Sequence, residues 1–150
     1  MSNVRNISGF AKAMMGFQAF MLRRNWMGGM SNFVMVITTT GRKSGKQFST
    51  PIGYIRDGET LISLNPGGVS NWYKNLLAHP EVTLNIKGQD YRACAERISD
   101  QAEKERLFEI YKRDHAQVFP RLFGVPLSAP AAELAQALAS REMVRFKLLV

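Results

Sequence analysis

Runs of β-branched and apolar residues, separated by short turns, occupy much of the chain and predict strands. Residues 32–40 (NFVMVITTT) are dense in such residues and indicate a buried strand. Val82, Leu84 and Ile86 instead alternate with polar residues, as expected for a strand with one buried face. In all, the pattern predicts six strands, at residues 32–40, 47–56, 60–65, 82–86, 91–98 and 144–150.

Four other segments have the spacing or composition of helices. Phe10, Met14, Phe17 and Met21 recur at intervals of four, three and four, which places them on one face of a helix over about residues 8–24. We expect this amphipathic helix either to cover the open side of the fold, or to touch lipid or shape an apolar pocket. The remaining helices are predicted at residues 71–78, 101–113 and 131–139, with a loop marked by Pro120, Pro126 and Pro130 before the last.

These elements predict an α+β fold. Asp57-Gly58 is a hairpin signal, and Pro51 inside residues 47–56 indicates an edge strand or a bulge. Six short, mainly antiparallel strands favour a small barrel with helices at its rim. A chain of 150 residues suits one core, so we expect residues 1–150 to form a single domain.

The composition adds a net charge of +8 to this picture. Excess positive charge favours an anionic partner, such as a phosphorylated cofactor, a nucleic acid or an anionic membrane surface. Cys94 is the only cysteine, so no intrachain disulfide is expected, and its alternating neighbours predict a small core or interface residue. Because the two histidines and the cysteine lie far apart, we expect no metal site.

The sequence contains no run of about 18 apolar residues that would predict a membrane span. The apolar stretch before Arg23-Arg24 carries its charge at the end opposite to that of a signal peptide. We therefore expect a retained N-terminal helix in a cytoplasmic protein, with any membrane contact made peripherally by that helix.

A basic turn at residues 41–46 (GRKSGK) is the first candidate binding site. Two glycines let backbone amides converge, which is typical of anion-binding turns. Arg42 suits bidentate binding of a phosphate, while Lys43 and Lys46 act as point charges. The alternative is a solvated hairpin tip, since such tips are often basic.

A glycine pair followed by a helix start is the second candidate. Gly67-Gly68 allows a ligand to approach the backbone close to a helix N-terminus. Trp72 and Tyr73 offer flat faces to a ring system, and the Asn75 amide suits the edge of a heterocycle. The alternative is that Trp72 and Leu76 only anchor a short helix to the sheet.

Familiar catalytic motifs are absent from the sequence. It contains no Gly-x-Ser-x-Gly, no Gly-x-Gly-x-x-Gly and no phosphate-binding P-loop. His79 precedes Pro80 at a predicted helix end, which favours a structural role. Since no residue set stands out for acid–base work, the chemistry is expected to come from a cofactor.

The chain resembles the deazaflavin-dependent nitroreductase family, in motifs that follow the family's order and near-family spacing. The resemblance implies a split β-barrel related to FMN-binding oxidoreductases, and coenzyme F420 rather than FMN as the hydride donor. It also implies acceptors such as quinones, nitroaromatics and other electron-poor rings. The matching motifs are residues 37–46, Thr50-Pro51, residues 54–58, Gly67-Gly68, residues 72–76 and residues 79–82.

The resemblance also assigns site residues and shows departures. The basic turn holds the cofactor phosphate in such proteins, and their ring lies near two segments that match residues 64–68 and 72–75. Phe48 and Pro66 stand where these relatives place an arginine and a lysine, so we expect weaker F420 binding and a more apolar pocket. The resemblance thus implies cofactor binding by Arg42, Lys43, Ser44, Lys46, Leu64, Asn65, Gly67, Gly68, Trp72 and Asn75.

Three functions follow from these patterns. The first is an F420H2-dependent oxidoreductase that passes a hydride to an electron-poor acceptor, with Tyr54, Tyr73 or water as proton donor. The second is a non-enzymatic carrier of an apolar, flavin-like or haem-like ligand, either free or associated with a membrane. A nucleic-acid-binding module is disfavoured, because the positive charge is dispersed along the chain. We expect a monomer or a homodimer.

Overall fold

The computed structural model describes residues 33–65 and 70–149. The predicted helix over residues 8–24 lies outside the described residues. The described part contains seven strands and four helices, in the order β1 (Val34–Thr40), β2 (Gln47–Gly53), β3 (Ile55–Asp57), β4 (Thr60–Asn65), α1 (Asn71–Ala78), β5 (Glu81–Ile86), β6 (Gln89–Ile98), α2 (Gln101–Asp114), α3 (Phe119–Phe123), α4 (Ala131–Ala139) and β7 (Glu142–Leu148).

All seven strands belong to one antiparallel sheet, in the order β2-β1-β5-β6-β7-β4-β3. Strands β2 and β3 follow each other in the chain, with only Tyr54 between them, yet they form opposite edges of the sheet. The predicted single strand over residues 47–56 is therefore wrong, because the chain passes from one edge of the curled sheet to the other at Tyr54. Pro51 does lie in an edge strand, as the sequence predicts.

The sheet buries apolar residues on both faces. On the inner face, Ile37 and Phe146 pack with Trp72 and Leu76 of α1. The outer-face cluster joins strand residues to helices α2, α3 and α4. Strand β7 contributes to both faces, because Met143 belongs to the outer cluster and the next residue, Val144, to the inner one. The described strands thus form a curled α+β sheet with helices against it.

Strand β6 corrects one prediction. Ala93 and Ala95 are buried in the inner cluster, whereas Cys94 between them is exposed. Side chains of a strand alternate between faces, and the outer face is open at this point. A core role for Cys94 is therefore wrong, while an interface role stays a prediction.

Helix α3 was not predicted, because its segment contains Pro120. Proline is tolerated in the first turn of a helix, where its missing N–H has no intrahelical partner. The rings of Phe119 and Phe123 stack with their centroids 4.8 Å apart. Gly124 ends the helix in a left-handed conformation with φ of 74°. Both rings also pack against Phe108 of α2, and these contacts outweigh the loop signal of the prolines.

An ionic network joins strands β3 and β7 to helix α2. Arg145 Nη2 lies 2.9 Å from Asp57 Oδ2 and 2.8 Å from Glu103 Oε1. Arg106 donates to both carboxylates. Hydrogen bonds from Arg106 are the main reason why the pKa values of both carboxyl groups are lowered. The pKa of Asp57 lies below its ordinary value, and that of Glu103 is about 2. This network links helix α2 to the sheet, and none of its four residues lines the candidate site described next.

Candidate functional site

The basic turn connects β1 to β2 and is closed by its own hydrogen bonds. Gly41 N donates to Lys46 O at 2.6 Å, and Gly45 N donates to Gly41 O at 2.9 Å. Gly45 has a φ of 71°, a left-handed conformation that favours glycine. Lys46 N donates to Ser44 Oγ at 3.2 Å. The turn therefore has a defined shape, although residues 42–46 are exposed.

Helix α1 holds this turn in place through Asn75. Its Oδ1 accepts from Arg42 N at 3.2 Å and from Arg42 Nη1 at 2.8 Å. Its Nδ2 donates to Thr39 Oγ1 at 3.2 Å. Asn75 is only 3% exposed. A buried amide thus joins the exposed cationic turn to the helix and to strand β1.

A cavity of about 390 Å³, here called the basic cavity, opens beside the turn. Its described lining residues include two cations and two aromatic rings but no carboxylate. Positive charge therefore stays uncompensated at this surface, which suits an anionic ligand that also carries a flat ring. The lining comprises Thr39, Gly41, Arg42, Lys43, Ser44, Phe48, Ser49, Thr50, Asn71, Trp72 and Asn75.

Phe48 faces this cavity and not the core. It pairs with Thr39 across strands β1 and β2, and it is 50% exposed. A Cβ added at Gly41 would lie 2.7 Å from Phe48 Cε2 and 2.7 Å from Ser44 Oγ. Glycine at position 41 is therefore what lets the phenyl ring and the hydroxyl approach the backbone of the turn.

Trp72 has two roles in the structure. It is 8% exposed and belongs to the inner cluster, so it anchors α1 to the sheet. It also lines the basic cavity, three residues before Asn75 on the same helix. The two interpretations of Trp72 from the sequence are therefore compatible.

Several predicted site residues lie elsewhere. Leu64 belongs to the outer cluster, and Lys46 is exposed without being part of the described lining. Asn65 is 3% exposed; its Oδ1 accepts from Ser70 Oγ at 2.7 Å, and its Nδ2 has no hydrogen-bond partner among the described residues. Gly67 and Gly68, together with Pro66, lie outside the described residues.

The two tyrosines predicted as proton donors are buried in the inner cluster. Burial raises the pKa of Tyr54. Tyr73 OH donates to Glu142 Oε2 at 3.1 Å, and burial, followed by this hydrogen bond, raises the pKa of Tyr73. Both phenols therefore hold their protons at neutral pH, and neither is part of the described lining of the basic cavity. Their role as proton donors stays a prediction.

The opposite face of β1 carries a second cavity, of about 520 Å³, here called the threonine cleft. It includes Thr38 and Thr40, which alternate with Thr39 along the strand. Arg92 and Glu81 form an ion pair at its wall, so the charge is balanced there. The sequence did not indicate this cavity. Its described lining comprises Thr38, Thr40, Gln47, His79, Pro80, Glu81, Val82, Thr83 and Arg92.

Some residues of the basic cavity were also missed from the sequence. Thr39, Ser49 and Asn71 line it without having been singled out. Thr50 appeared only as part of a motif, although it follows Phe48 by two residues and thus shares its face of β2. The alternation along β2 is the signal that would have found it.

Two further observations concern metal binding and membrane spanning by the described residues. No group of three or more histidine, cysteine, aspartate or glutamate side chains within residues 33–65 and 70–149 is placed to hold a metal ion. In the same part of the chain, no helix has both the length and the hydropathy that crossing a bilayer requires.

Comparisons with known structures identify the fold. A structure described as an F420H2-dependent reductase superposes with a TM-score of 0.55 at 18% identity, covering 76% of this chain and 93% of that chain. A FAD-binding protein of Mesorhizobium loti superposes with a TM-score of 0.52 at 16% identity, covering 79% and 83%. At such low identity these similarities concern the fold alone, and they establish the split β-barrel that the resemblance implied.

Sequence comparison identifies the family. A Mycobacterium tuberculosis protein described as an F420H2-dependent quinone reductase is 30% identical over 87 residues, which are 55% of this chain and 58% of that protein. The match therefore spans little more than half of the relative's length. The profile of the F420H2-dependent quinone reductase family, by contrast, matches residues 10–121. This match extends over most of the chain, including the basic turn and helix α1, and the chain belongs to that family.

Proposed function

We propose that this protein binds coenzyme F420 and passes a hydride from its reduced form to a quinone or a similar electron-poor acceptor. One observation carries the proposal: the basic cavity combines uncompensated positive charge with two aromatic rings. F420 combines a phosphate with a flat tricyclic ring, so its chemistry matches both features. Membership of the family supports the same cofactor.

The residues present fit such a group at two points. Gly41 has no side chain, so the Phe48 ring and the Ser44 hydroxyl lie against the backbone of the turn, next to its cations. Asn65 Nδ2 at the end of β4 is buried, and neither of its two N–H donors has a partner among the described residues, although Asn65 is not part of the described lining of the basic cavity. A heterocycle carbonyl is a suitable acceptor for either N–H.

Phosphate binding falls to Arg42 and Lys43. Both line the cavity, and Arg42 has N–H groups beyond those that Asn75 uses. A hydrogen bond to a charged group contributes roughly 1.5–3 kcal/mol, so two such contacts account for a large part of the affinity. Trp72 and Phe48 supply apolar faces for the ring and the adjoining chain.

The bound reduced deazaflavin supplies the hydride, and the protein supplies position. Holding two reactants in a productive arrangement lowers a barrier by several kcal/mol without any acid or base. The described lining contains no carboxylate, imidazole or phenol, so we propose that water delivers the accompanying proton. Tyr54 and Tyr73 remain the protein's candidate donors from the sequence.

We further propose that the acceptor is apolar or aromatic, and that the protein acts as a single domain in the cytoplasm, as a monomer or homodimer. The N-terminal helix predicted at residues 8–24 is the candidate for membrane contact, by which a lipid-soluble quinone would be reached. Truncation of that helix, tested on soluble and on bilayer-embedded quinones, separates these roles.

A ligand carrier is the second candidate function. The half-exposed Phe48 and the absence of a carboxylate, imidazole or phenol from the described lining favour it, because a carrier needs apolar contact and no proton transfer. Mass spectrometry of ligand extracted from the purified protein discriminates between the two. A bound haem or lipid would support the carrier, whereas F420 would support the reductase.

The direct test is a fluorescence titration of the full chain with F420, FMN and haem. We expect F420 to bind most tightly, and the loaded protein to oxidise reduced F420 when a soluble quinone is added. Tighter binding of haem, or F420 binding without turnover of any quinone or nitroaromatic, would overturn the proposed reductase.

A further inference from the structure

The side chain of Asn75 is almost fully engaged by the protein itself. An asparagine amide offers two acceptor positions on oxygen and two N–H donors. Here Oδ1 accepts from both Arg42 N and Arg42 Nη1, and Nδ2 donates to Thr39 Oγ1. Asn75 and Thr39 are 3% and 1% exposed. Three of the four hydrogen-bonding positions are thus occupied, which leaves little for a ligand.

Arg42 is the exposed end of this chain of contacts. Its Nη1 is fixed by Asn75, and none of the carboxylates of the described residues forms an ion pair with it. It nonetheless lines the basic cavity. A long arginine side chain loses considerable rotamer entropy when it becomes ordered, so a residue that orders it in advance strengthens anion binding.

We propose that Asn75 is a positioning residue, which acts on the anionic part of the ligand through Arg42 and does not contact the ring. The identification of that anion as the F420 phosphate rests on the proposed function. This role differs from the direct heterocycle contact expected from the sequence.

Helix α1 also carries Trp72, so it links the position of Arg42 to that of an aromatic ring. Trp72 and Asn75 are three residues apart, so they lie on neighbouring positions of one helix face. The helix therefore fixes the separation between an aromatic wall and the cation that Asn75 holds. The site selects ligands in which an anion is tethered to a flat ring at that separation.

The test is a double-mutant cycle with Arg42→Ala and Asn75→Ala, read by fluorescence titration with F420 and with the deazaflavin that lacks the phosphate. We expect each single variant to weaken F420 binding about tenfold to a hundredfold. The double variant should be no weaker than Arg42→Ala alone, because Asn75 then has nothing to position. Affinity for the phosphate-free deazaflavin should stay unchanged in all three.

Two outcomes would overturn the inference. Effects of the two substitutions that add would show an independent contact of Asn75 with the ligand. Weaker binding of the phosphate-free deazaflavin by Asn75→Ala, but not by Arg42→Ala, would place Asn75 at the ring. Leu77→Ala, at an exposed position of the same helix, is the matched control and should change neither affinity.

Two measurements keep the inference testable if Asn75→Ala folds poorly or F420 does not bind. Asn75→Asp keeps the shape of the side chain and an acceptor for Arg42, but its negative charge neutralises the cation. F420 binding should therefore weaken, while the affinity for the phosphate-free deazaflavin and the melting temperature stay close to those of the wild type. The Arg42 side-chain NMR signal of the ligand-free protein tests the positioning alone. It should show restricted motion in the wild type. A mobile Arg42 in the wild type would overturn the inference, whereas failure to bind F420 would overturn the proposed function.

Discussion

The basic cavity and the threonine cleft lie on opposite faces of the same strand. Thr39 lines the former, while Thr38 and Thr40 line the latter. The cleft is the larger of the two, at about 520 Å³ against about 390 Å³. Size alone would therefore select the threonine cleft as the binding site.

Charge selects the other cavity. The cleft contains Arg92, but Glu81 pairs with it. Arg42 and Lys43 face no carboxylate among the described residues that line the basic cavity. The basic cavity also has two aromatic rings, whereas His79 provides the only aromatic ring in the described lining of the cleft. The comparison shows that uncompensated charge beside an apolar wall, and not volume, distinguishes a site for an anionic ring-bearing ligand.

Reversing a charge in the basic cavity should have the largest effect, and it tests directly whether uncompensated charge distinguishes this cavity from the threonine cleft. Lys43→Glu should raise the Kd for F420 about a hundredfold or more, since it removes a charged hydrogen bond of roughly 1.5–3 kcal/mol and adds repulsion. The melting temperature should hardly change, because Lys43 is exposed. Fluorescence titration and thermal melts measure both quantities.

Arg92→Gln in the cleft is the matched control and should leave F420 affinity unchanged. If it weakens binding as much as Lys43→Glu does, the cleft is part of the site and the argument from charge balance fails.

The next test changes the shape of the basic turn and leaves its charge unchanged. Gly41→Ala places a methyl group 2.7 Å from Phe48 Cε2 and from Ser44 Oγ, so the turn has to shift. We expect overpacking to cost about 1–3 kcal/mol of stability and F420 affinity to fall about tenfold. Gly53→Ala is the control, because its Cβ would meet Phe33 O at 3.5 Å, an ordinary contact. Equal losses in the two variants would mean that the shape of the turn at Gly41 is unrelated to binding.

A substitution at Phe48 tests whether one more cation in the basic cavity would tighten F420 binding. Phe48→Arg adds a cation on its wall and should tighten F420 binding about two- to fivefold at low salt, as for an exposed ion pair of roughly 0.2–1 kcal/mol. The gain should shrink with added salt. Leu77→Arg adds the same charge at a similarly exposed position outside the described lining and should gain less. An unchanged or weaker affinity in Phe48→Arg would show that the apolar contact of the phenyl ring with the ligand is worth as much as the added charge, or more.

Local patterns predicted most of the fold from the sequence. Helix α1 occupies residues 71–78 and α4 residues 131–139, as expected, because each has an apolar face and clear boundaries. The sequence did not reveal that the chain changes sheet edges at Tyr54, because that break depends on the curvature of the whole sheet. Helix α3 was missed because the packing of Phe119 and Phe123 against Phe108 of another helix outweighs local proline signals.

The lining of the basic cavity was predicted in part. Arg42, Lys43 and Ser44 lie together at the basic cavity with Trp72 and Asn75, because one hairpin and one helix carry them. The hydrogen bonds of Asn75 could not be foreseen, since they join residues 33 positions apart in the chain. The threonine cleft was missed because the pairing of β1 with β5 creates it.

The smallest effect on binding is expected from the ionic network of Asp57, Glu103, Arg106 and Arg145, which is part of neither described cavity lining. The pKa of Glu103 falls from an ordinary value of 4.5 to about 2, and that of Asp57 is lowered from 3.8. A carboxylate whose pKa is lowered by folding stabilises the protein above its unfolded pKa, and this contribution is lost as the pH falls towards the folded value. The melting temperature should therefore drop as the pH is lowered from about 5 to about 2.

In Glu103→Gln the drop should be shallower and the melting temperature at neutral pH a few degrees lower, while F420 affinity at neutral pH stays that of the wild type. A Glu103→Gln variant that binds F420 as weakly as Lys43→Glu would show that loss of stability, and not loss of charge in the basic cavity, governs both measurements.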